Sequence, residues 1–315
     1  NGGPDRDRFE LDLLLLIGVA RIASIGYTSA DVEPAYLRAL ELCQRLKDNK
    51  REFLVVQGLS LFHFVGSNLH KSRELAEQLI ELAKTRDDPG PDLAANRSLG
   101  YALMLFGEIE AARTCFDYVT SRYDGAVHRS FAAQLSGADI GVGSYGFNAW
   151  NLVALGLPDQ ARQLADQGLQ LAREIDHPLS ESFVHVVTSV LHLFHEESEA
   201  ARDSAEIGYT LAAEKGLAQY IYWNKIFLHS ALCDLDEGNR ADNIAAIIEN
   251  IDGWRNIGSN ILVPYCLSRV ARAYGQDGQL KAAMATIEEA IGETVRTDER
   301  FWEAELYRHK GQMLL

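Results

Sequence analysis

Basic residues are scarce. Lys and Arg number 30 against 45 Asp and Glu in 315 residues, a formal net charge of −15. An acidic surface repels phosphate backbones and anionic head groups, so the reading takes neither nucleic acid nor membrane as a partner. Cysteine is equally thin. Cys43, Cys115, Cys233 and Cys266 stand far apart with no C-x-x-C pair, which argues against a disulfide frame or zinc site and for small core residues in a reducing cytoplasm. Long apolar runs are missing. The longest, Leu13 to Ala20 between Asp12 and Arg21, is far short of a membrane span, and no signal peptide is visible. Only 7 prolines occur, most at breaks such as Asp88-Pro89-Gly90-Pro91 and Asp176-His177-Pro178. Alternating apolar–polar runs are nearly absent, which leaves little room for strands.

Apolar residues recur three and four apart along almost the whole chain, the pattern of helices. A longer period lies over it. Val270-Ala271-Arg272-Ala273-Tyr274, then Gly278, Ala283, Ile287 and Ala290, have the spacing of a tetratricopeptide repeat. Two antiparallel helices approach to about 8–10 Å only where contact residues are small, as at Gly100 with Ala112 or Ala271 with Ala283. A turn glycine supplies the backbone angles of a helix end. The early alanine of the second helix falls at 112, 161, 201 and 283, with Asn243 in a degraded copy. The steps of 40 to 49 residues exceed the usual 34, so helices or loops are extended. Weaker copies sit at Ala35-Ala39-Leu42 and Ser72-Ala76-Leu79. The expectation is an all-α, right-handed tetratricopeptide-like superhelix of about seven hairpins plus a terminal helix over 9–315. Residues 1–8 read as a linker-like start and about 123–144 as a long spacer. The Asn1 start and the Leu314-Leu315 end read as cuts from a longer protein.

Two motifs invite a catalytic reading. Gly141, Gly143 and Gly146 spell G-x-G-x-x-G, but no strand precedes them to aim a dinucleotide loop. They read instead as a flexible lead-in to the helix that follows. Gly66 to Ser72 holds Val65 and His70 where a phosphate loop needs glycine, and reads as a hairpin turn. No cofactor is expected. His185, His192 and His195 are spaced to share a helix face and are a weak metal candidate, set against a packed imidazole at 192. No H-E-x-x-H, G-x-S-x-G or Ser-His-Asp arrangement can be nominated, and the chain is read as non-catalytic. In such stacks the first helices line a concave face where ligands dock. The frame puts Arg97, Tyr101, Trp150, Tyr222, Trp223, Tyr265 and Arg272 on or near it. His128 and Arg129 in the spacer are candidates for an anion or for tying the loop down.

The runs LGYALMLFGEIEAAR, YDGAVHRSFAAQLSGADIGV, GLPDQARQLADQGLQLA and RFWEAELYRHKGQMLL carry a resemblance. From about Tyr27 to Leu315 the chain resembles the C-terminal tetratricopeptide region of bacterial signalling proteins that join an adenylate/guanylate cyclase domain or a DNA-binding output domain to a STAND-like ATPase. Where that family has D-P-G-V, this chain has Asp139-Ile140-Gly141-Val142. The resemblance implies a sensor or scaffold that binds a protein partner or a small-molecule effector, or packs on the ATPase of its own polypeptide. A free-standing adaptor gripping a partner peptide in its groove is the alternative.

Overall fold

The computed structural model describes residues 3–24, 28, 31–84, 86, 88–132, 134–135 and 137–314. Tyr27 and Leu315, the ends of the resembling stretch, and spacer residues 133 and 136 lie outside them. Sixteen helices and no strand occur among the described residues. Seven hairpins follow in order: α1 (Pro4–Ser24) with α2 (Val32–Leu46), α3 (Asn49–Val65) with α4 (Leu69–Lys84), α5 (Pro89–Leu105) with α6 (Ile109–Thr120). After the short α7 (Gly125–Ala132) come α8 (Ile140–Ala154) with α9 (Pro158–Glu174), α10 (Pro178–Phe194) with α11 (Ser198–Lys215), α12 (Ala218–Leu235) with α13 (Arg240–Asn256), and α14 (Val263–Gln276) with α15 (Leu280–Thr297). The terminal helix is α16 (Glu303–Leu314). From α3 onward the first helices touch one another through the whole series and form the inner layer. The fold is a tetratricopeptide-like helical solenoid.

The chemistry of the turns explains the hairpins. The turn glycines Gly107, Gly156, Gly238 and Gly278 all have φ between 72° and 79°, a conformation that costs other residues energy. Ser67 and Glu196 take the same left-handed position in the hairpins that lack a glycine there. Prolines 89, 158, 178 and 264 open helices, where their missing N–H costs nothing. The small-residue crossing is also present: Ala112, Ala161, Ala201, Ala271 and Ala283 are fully buried. Asn243, in the degraded copy, donates to the Glu237 carbonyl and pairs with His229, so its amide is satisfied. All four cysteines are buried and free.

Three expectations change. Residues 4–8 belong to α1 rather than to a linker. The spacer is not a long loop: it contains α7, and its last residues are already α8. The G-x-G-x-x-G glycines are no lead-in either. Asp139 caps α8 by accepting from the Gly141 and Val142 N–H groups, and the three glycines lie inside the helix. Each meets a ring: a Cβ on Gly141 would lie 2.5 Å from Tyr123, on Gly143 2.2 Å from the Tyr101 hydroxyl, and on Gly146 2.6 Å from Phe183. They are glycine because aromatic side chains rest on the helix backbone.

The solenoid does not stay open. The Val65 carbonyl at the end of α3 accepts from the N–H groups of Asn260 and Ile261 at 2.9 and 3.1 Å. The Leu105 carbonyl at the end of α5 accepts from Arg300 and Phe301 at 2.7 and 3.1 Å. The Thr28 hydroxyl donates to the Ile257 carbonyl. Hairpins 1, 2 and 3 are thereby tied to segments far along the sequence.

The glycine reading makes a paired prediction. Gly146→Val should lower stability by about 1–3 kcal/mol through overpacking against Phe183. Gly292→Ala, at an open position in α15, should raise it by up to about 1 kcal/mol through helix propensity. Urea unfolding of both variants reads the two signs.

Candidate functional site

Closure fills much of the concave face with the protein's own aromatics. Phe147 of α8 contacts Phe64, Tyr101, Trp150 and Phe183 with ring centroids 4.6–5.9 Å apart. Trp302, between α15 and α16, lies edge-on to Trp150 and stacks on Phe194 and Tyr265, the last at 4.4 Å. Trp150 and Tyr265 are therefore core residues, each about 1% exposed or less, and Trp150 donates its indole N–H to the Val187 carbonyl. The expectation that they line an accessible groove is overturned, because Trp302 occupies that space.

Among the described residues a small, half-open pocket of about 40 Å³ remains on the inner side. Its walls come from the first helices of hairpins 2 to 6, from Gly137 and Ala138, and from Ile261. Three sequence candidates meet there: Arg97, Tyr101 and Trp223. Arg97 donates to the Ala138 carbonyl at 2.9 Å, and its guanidinium lies 5.6 Å from the Tyr101 ring centroid. Tyr101 stacks on Phe64 at 5.1 Å. Trp223 packs on Trp254 at 4.7 Å. Gln219 stands one helical turn before Trp223 on the same wall. Sequence reading missed Gln219, Phe64, Phe147 and Phe183, although the i, i+4 relation of Gln219 to Trp223 was there to be used.

The other candidates go elsewhere. Tyr222 faces away from this pocket, over Gly253 of α13, in a shallow groove with Ile221 and Lys225. Arg272 pairs with Asp234 at 3.0 Å beside the buried Arg269–Asp234 ion pair. Burial works to raise the Asp234 carboxyl, but the Arg269 and Arg272 charges outweigh it and hold it below its ordinary value. In α7, the His128 ring accepts from the Asp124 N–H, and Arg129 donates to the Ile175 carbonyl at 2.6 Å. Both tie α7 down. The three histidines do not converge: His185 bonds to Ser204, His192 to Glu197, and His195 ends α10. Among the described residues no group of three metal-ligating side chains exists. Burial pushes the His185 imidazole down to about 4, which makes it a neutral core residue at neutral pH.

Two further features bear on function. Glu299 is fully buried at the closure, where its carboxyl accepts from the Leu262 N–H at 3.0 Å and from the Ser67 hydroxyl at 3.5 Å. Burial pushes it up to about 8 despite these donors. On the outside, Phe9, Leu13, Leu16 and Ile17 form an i, i+4, i+7, i+8 stripe on α1, each between 43% and 66% exposed. No described helix is long and apolar enough to cross a membrane.

Comparison with known proteins returned no matching family model and no matching curated protein. Solved structures do match. The apo form of RapI superposes with a TM-score of 0.60 at 12% identity, over 91% of this chain and 98% of its own. A Rap protein complexed with competence and sporulation factor gives 0.57 at 9% identity, over 97% and 99%. The Cut9–Hcn1 hetero-tetramer of the APC/C gives 0.52 at 14% identity, over 97% of this chain and 54% of the other. At these identities the likeness establishes the fold that the chain shares with helical-repeat proteins.

Glu299 makes the closure sensitive to pH. The unfolded chain loses this proton near 4.5, while the folded chain keeps it to about 8. Over that window the folded state binds more protons, so stability falls as pH rises. Glu299→Gln keeps an acceptor for Leu262 and carries no charge. Its melting temperature should match the parent near pH 4.5 and exceed it by a few degrees at pH 8, on a scale of roughly 2–4 °C per kcal/mol. A difference that does not change with pH would show that folding does not raise the proton affinity of Glu299.

Proposed function

We propose that the chain is a non-catalytic sensor and scaffold module that regulates an ATPase or cyclase of a bacterial signalling protein through direct contact. The observation that carries this reading is the apolar stripe on α1. The helix α1 presents four large apolar side chains on one exposed face. Contiguous exposed apolar surface marks a protein contact. The resemblance of the repeat sequences to the cyclase–ATPase family names the class of partner: a nucleotide-using domain of the same polypeptide, packed on α1. The fold shared with Rap proteins, one of them complexed with competence and sporulation factor, is in keeping with a protein-binding role.

The regulation is a population shift. A ligand biases the attached domain only by its different affinity for two arrangements of the module. In this reading the tied closure between hairpins 1–3 and the late loops is one arrangement, and its release is the other.

The test uses the parent polypeptide. Leu16→Glu with Ile17→Glu changes exposed residues and should leave the melting temperature of the module within about 1–2 °C, as surface substitutions do. The same pair should change the ATP turnover or cyclase rate of the parent several-fold. Unchanged turnover, or nucleotide hydrolysis by this chain alone, would overturn the reading. Capture of a separate partner through the same stripe would favour an adaptor.

A further inference from the structure

Second helices of this fold are wedged between two first helices. Tyr36 of α2 lies on both α1 and α3: a Cβ on Gly18 or on Gly58 would come within 2.7 Å of its ring. Gly168 of α9 lies against Tyr145 of α8 and Val184 of α10, and Gly208 of α11 against His185 of α10 and Asn224 of α12. A first helix is correspondingly covered on two faces. In α3, Gly58 meets α2, while Ser60 exchanges hydrogen bonds with Ser72 of α4. In α12, Asn224 meets α11 and Tyr222 meets Gly253 of α13. Residues two apart on a helix point about 200° apart, so in both helices the two contacts stand back to back.

Helix α1 is covered on one of these faces. Gly18 meets Tyr36 of α2, and the buried Leu11, two turns before it, lies on the same side. Leu16 stands two residues from Gly18 and so points the other way, with Leu13 and Phe9 one and two turns before it. The exposed stripe is therefore the face of α1 that corresponds to the α2-facing side of α3 and the α11-facing side of α12. Charge narrows what fits it. The four acids of α1 are already matched: Asp5 pairs with Arg8, Asp7 with Arg45, Glu10 with Arg38 and Asp12 with Arg51. An apolar centre beside paired acids complements an apolar face and offers a basic segment little to pair with.

We infer that the stripe seats an amphipathic α-helix of the domain that packs on α1, in the position of the second helix of a preceding hairpin and antiparallel to α1, as α2 is to α3. Phe9, Leu13 and Leu16 meet its apolar face, and Ile17 borders the contact. The inference rests on the sensor reading and supplies the element and the direction of its interdomain contact. The alternation of the fold favours this occupant over a second copy paired through its own α1, which would set a first helix where the stack places a second.

The experiment places the photo-crosslinker p-benzoylphenylalanine in place of Phe9 and, separately, of Leu16 in the parent polypeptide, and maps the adducts by mass spectrometry. Both positions are exposed, so the replacements should leave the fold intact. Both should capture one segment of the same polypeptide, at residues spaced three and four apart. Antiparallel seating puts the residues captured from position 9 about seven residues later in that segment than those captured from position 16. Leu13→Asp brings a charge into the seat and should lower both yields roughly tenfold. Yields should be equal at about 0.05 and 0.5 M NaCl, because the acids beside the stripe are already paired. The inference falls if no adduct forms, if captured residues alternate as on a strand or run consecutively as in a loop, if their order is reversed, or if the captured partner is a second copy or a lipid. ATP turnover of the Leu16→Glu, Ile17→Glu pair reports separately on regulation. Helical captures with unchanged turnover keep the seat and remove the regulatory reading, and changed turnover without such captures does the reverse.

Discussion

Two backbone carbonyls determine the shape of this molecule. Val65 ends α3 and Leu105 ends α5, and each accepts a pair of N–H groups from a loop four hairpins further along. The last carbonyls of any helix have no partner inside the helix. Here they receive consecutive amides from the bend before α14 and from the bend before α16. The same device therefore occurs twice, one hairpin apart at both ends, and its repetition follows the repeat itself. Simple solenoids are held by neighbours only, and their stability is a sum over adjacent units. In this chain hairpin 2 also depends on the segment after hairpin 6, and hairpin 3 on the segment after hairpin 7. The contacts run over sequence separations that no nearest-neighbour stack contains.

Closure changes what the concave face is. With Trp302 stacked on Tyr265 and set edge-on to Trp150, most of the inner layer becomes core. This is why structural likeness to RapI at a TM-score of 0.60 establishes helix packing and leaves the inner surface to be read residue by residue. It is also why Arg97, Tyr101 and Trp223 surround a pocket while Trp150 and Tyr265 do not. All five come from first helices, and what separates them is where the late loops enter.

Much of the architecture was legible because it depends on local rules. Gly107, Gly156, Gly238 and Gly278 announce turns, since few other residues tolerate their φ. Ala112, Ala161, Ala201 and Ala283 announce helix crossings, since larger side chains would hold the helices apart. The glycines of α8 were misread for a related reason. Spacing shows that three residues have no side chain, but not that Tyr123, Tyr101 and Phe183 arrive from elsewhere to fill the space. Glu299 and Trp302 gave no signal, because a loop residue has no period and their partners are distant in sequence. Tyr222 and Trp223 show the limit of a frame in the other direction. Neighbours on a helix point about 100° apart, and here packing turns Trp223 to the pocket and Tyr222 over Gly253.

The pocket and the closure are one structure. Val65 contributes its carbonyl to the closing bonds and also lines the pocket, and Ile261 donates to that carbonyl while lining the same pocket. The Ile261 carbonyl in turn accepts from the Trp254 indole at 3.2 Å, and Trp254 packs on Trp223. Separating hairpin 2 from the bend before α14 would therefore remove part of the pocket wall. The early hairpins that closure pins down include the one that carries the α1 stripe: Thr28, in the bend between α1 and α2, donates to the Ile257 carbonyl. A contiguous set of bonds thus runs from the pocket wall through the loop of residues 257–262 to the first hairpin, so the hairpin that carries the outer apolar face is anchored to the same loop that lines the inner side.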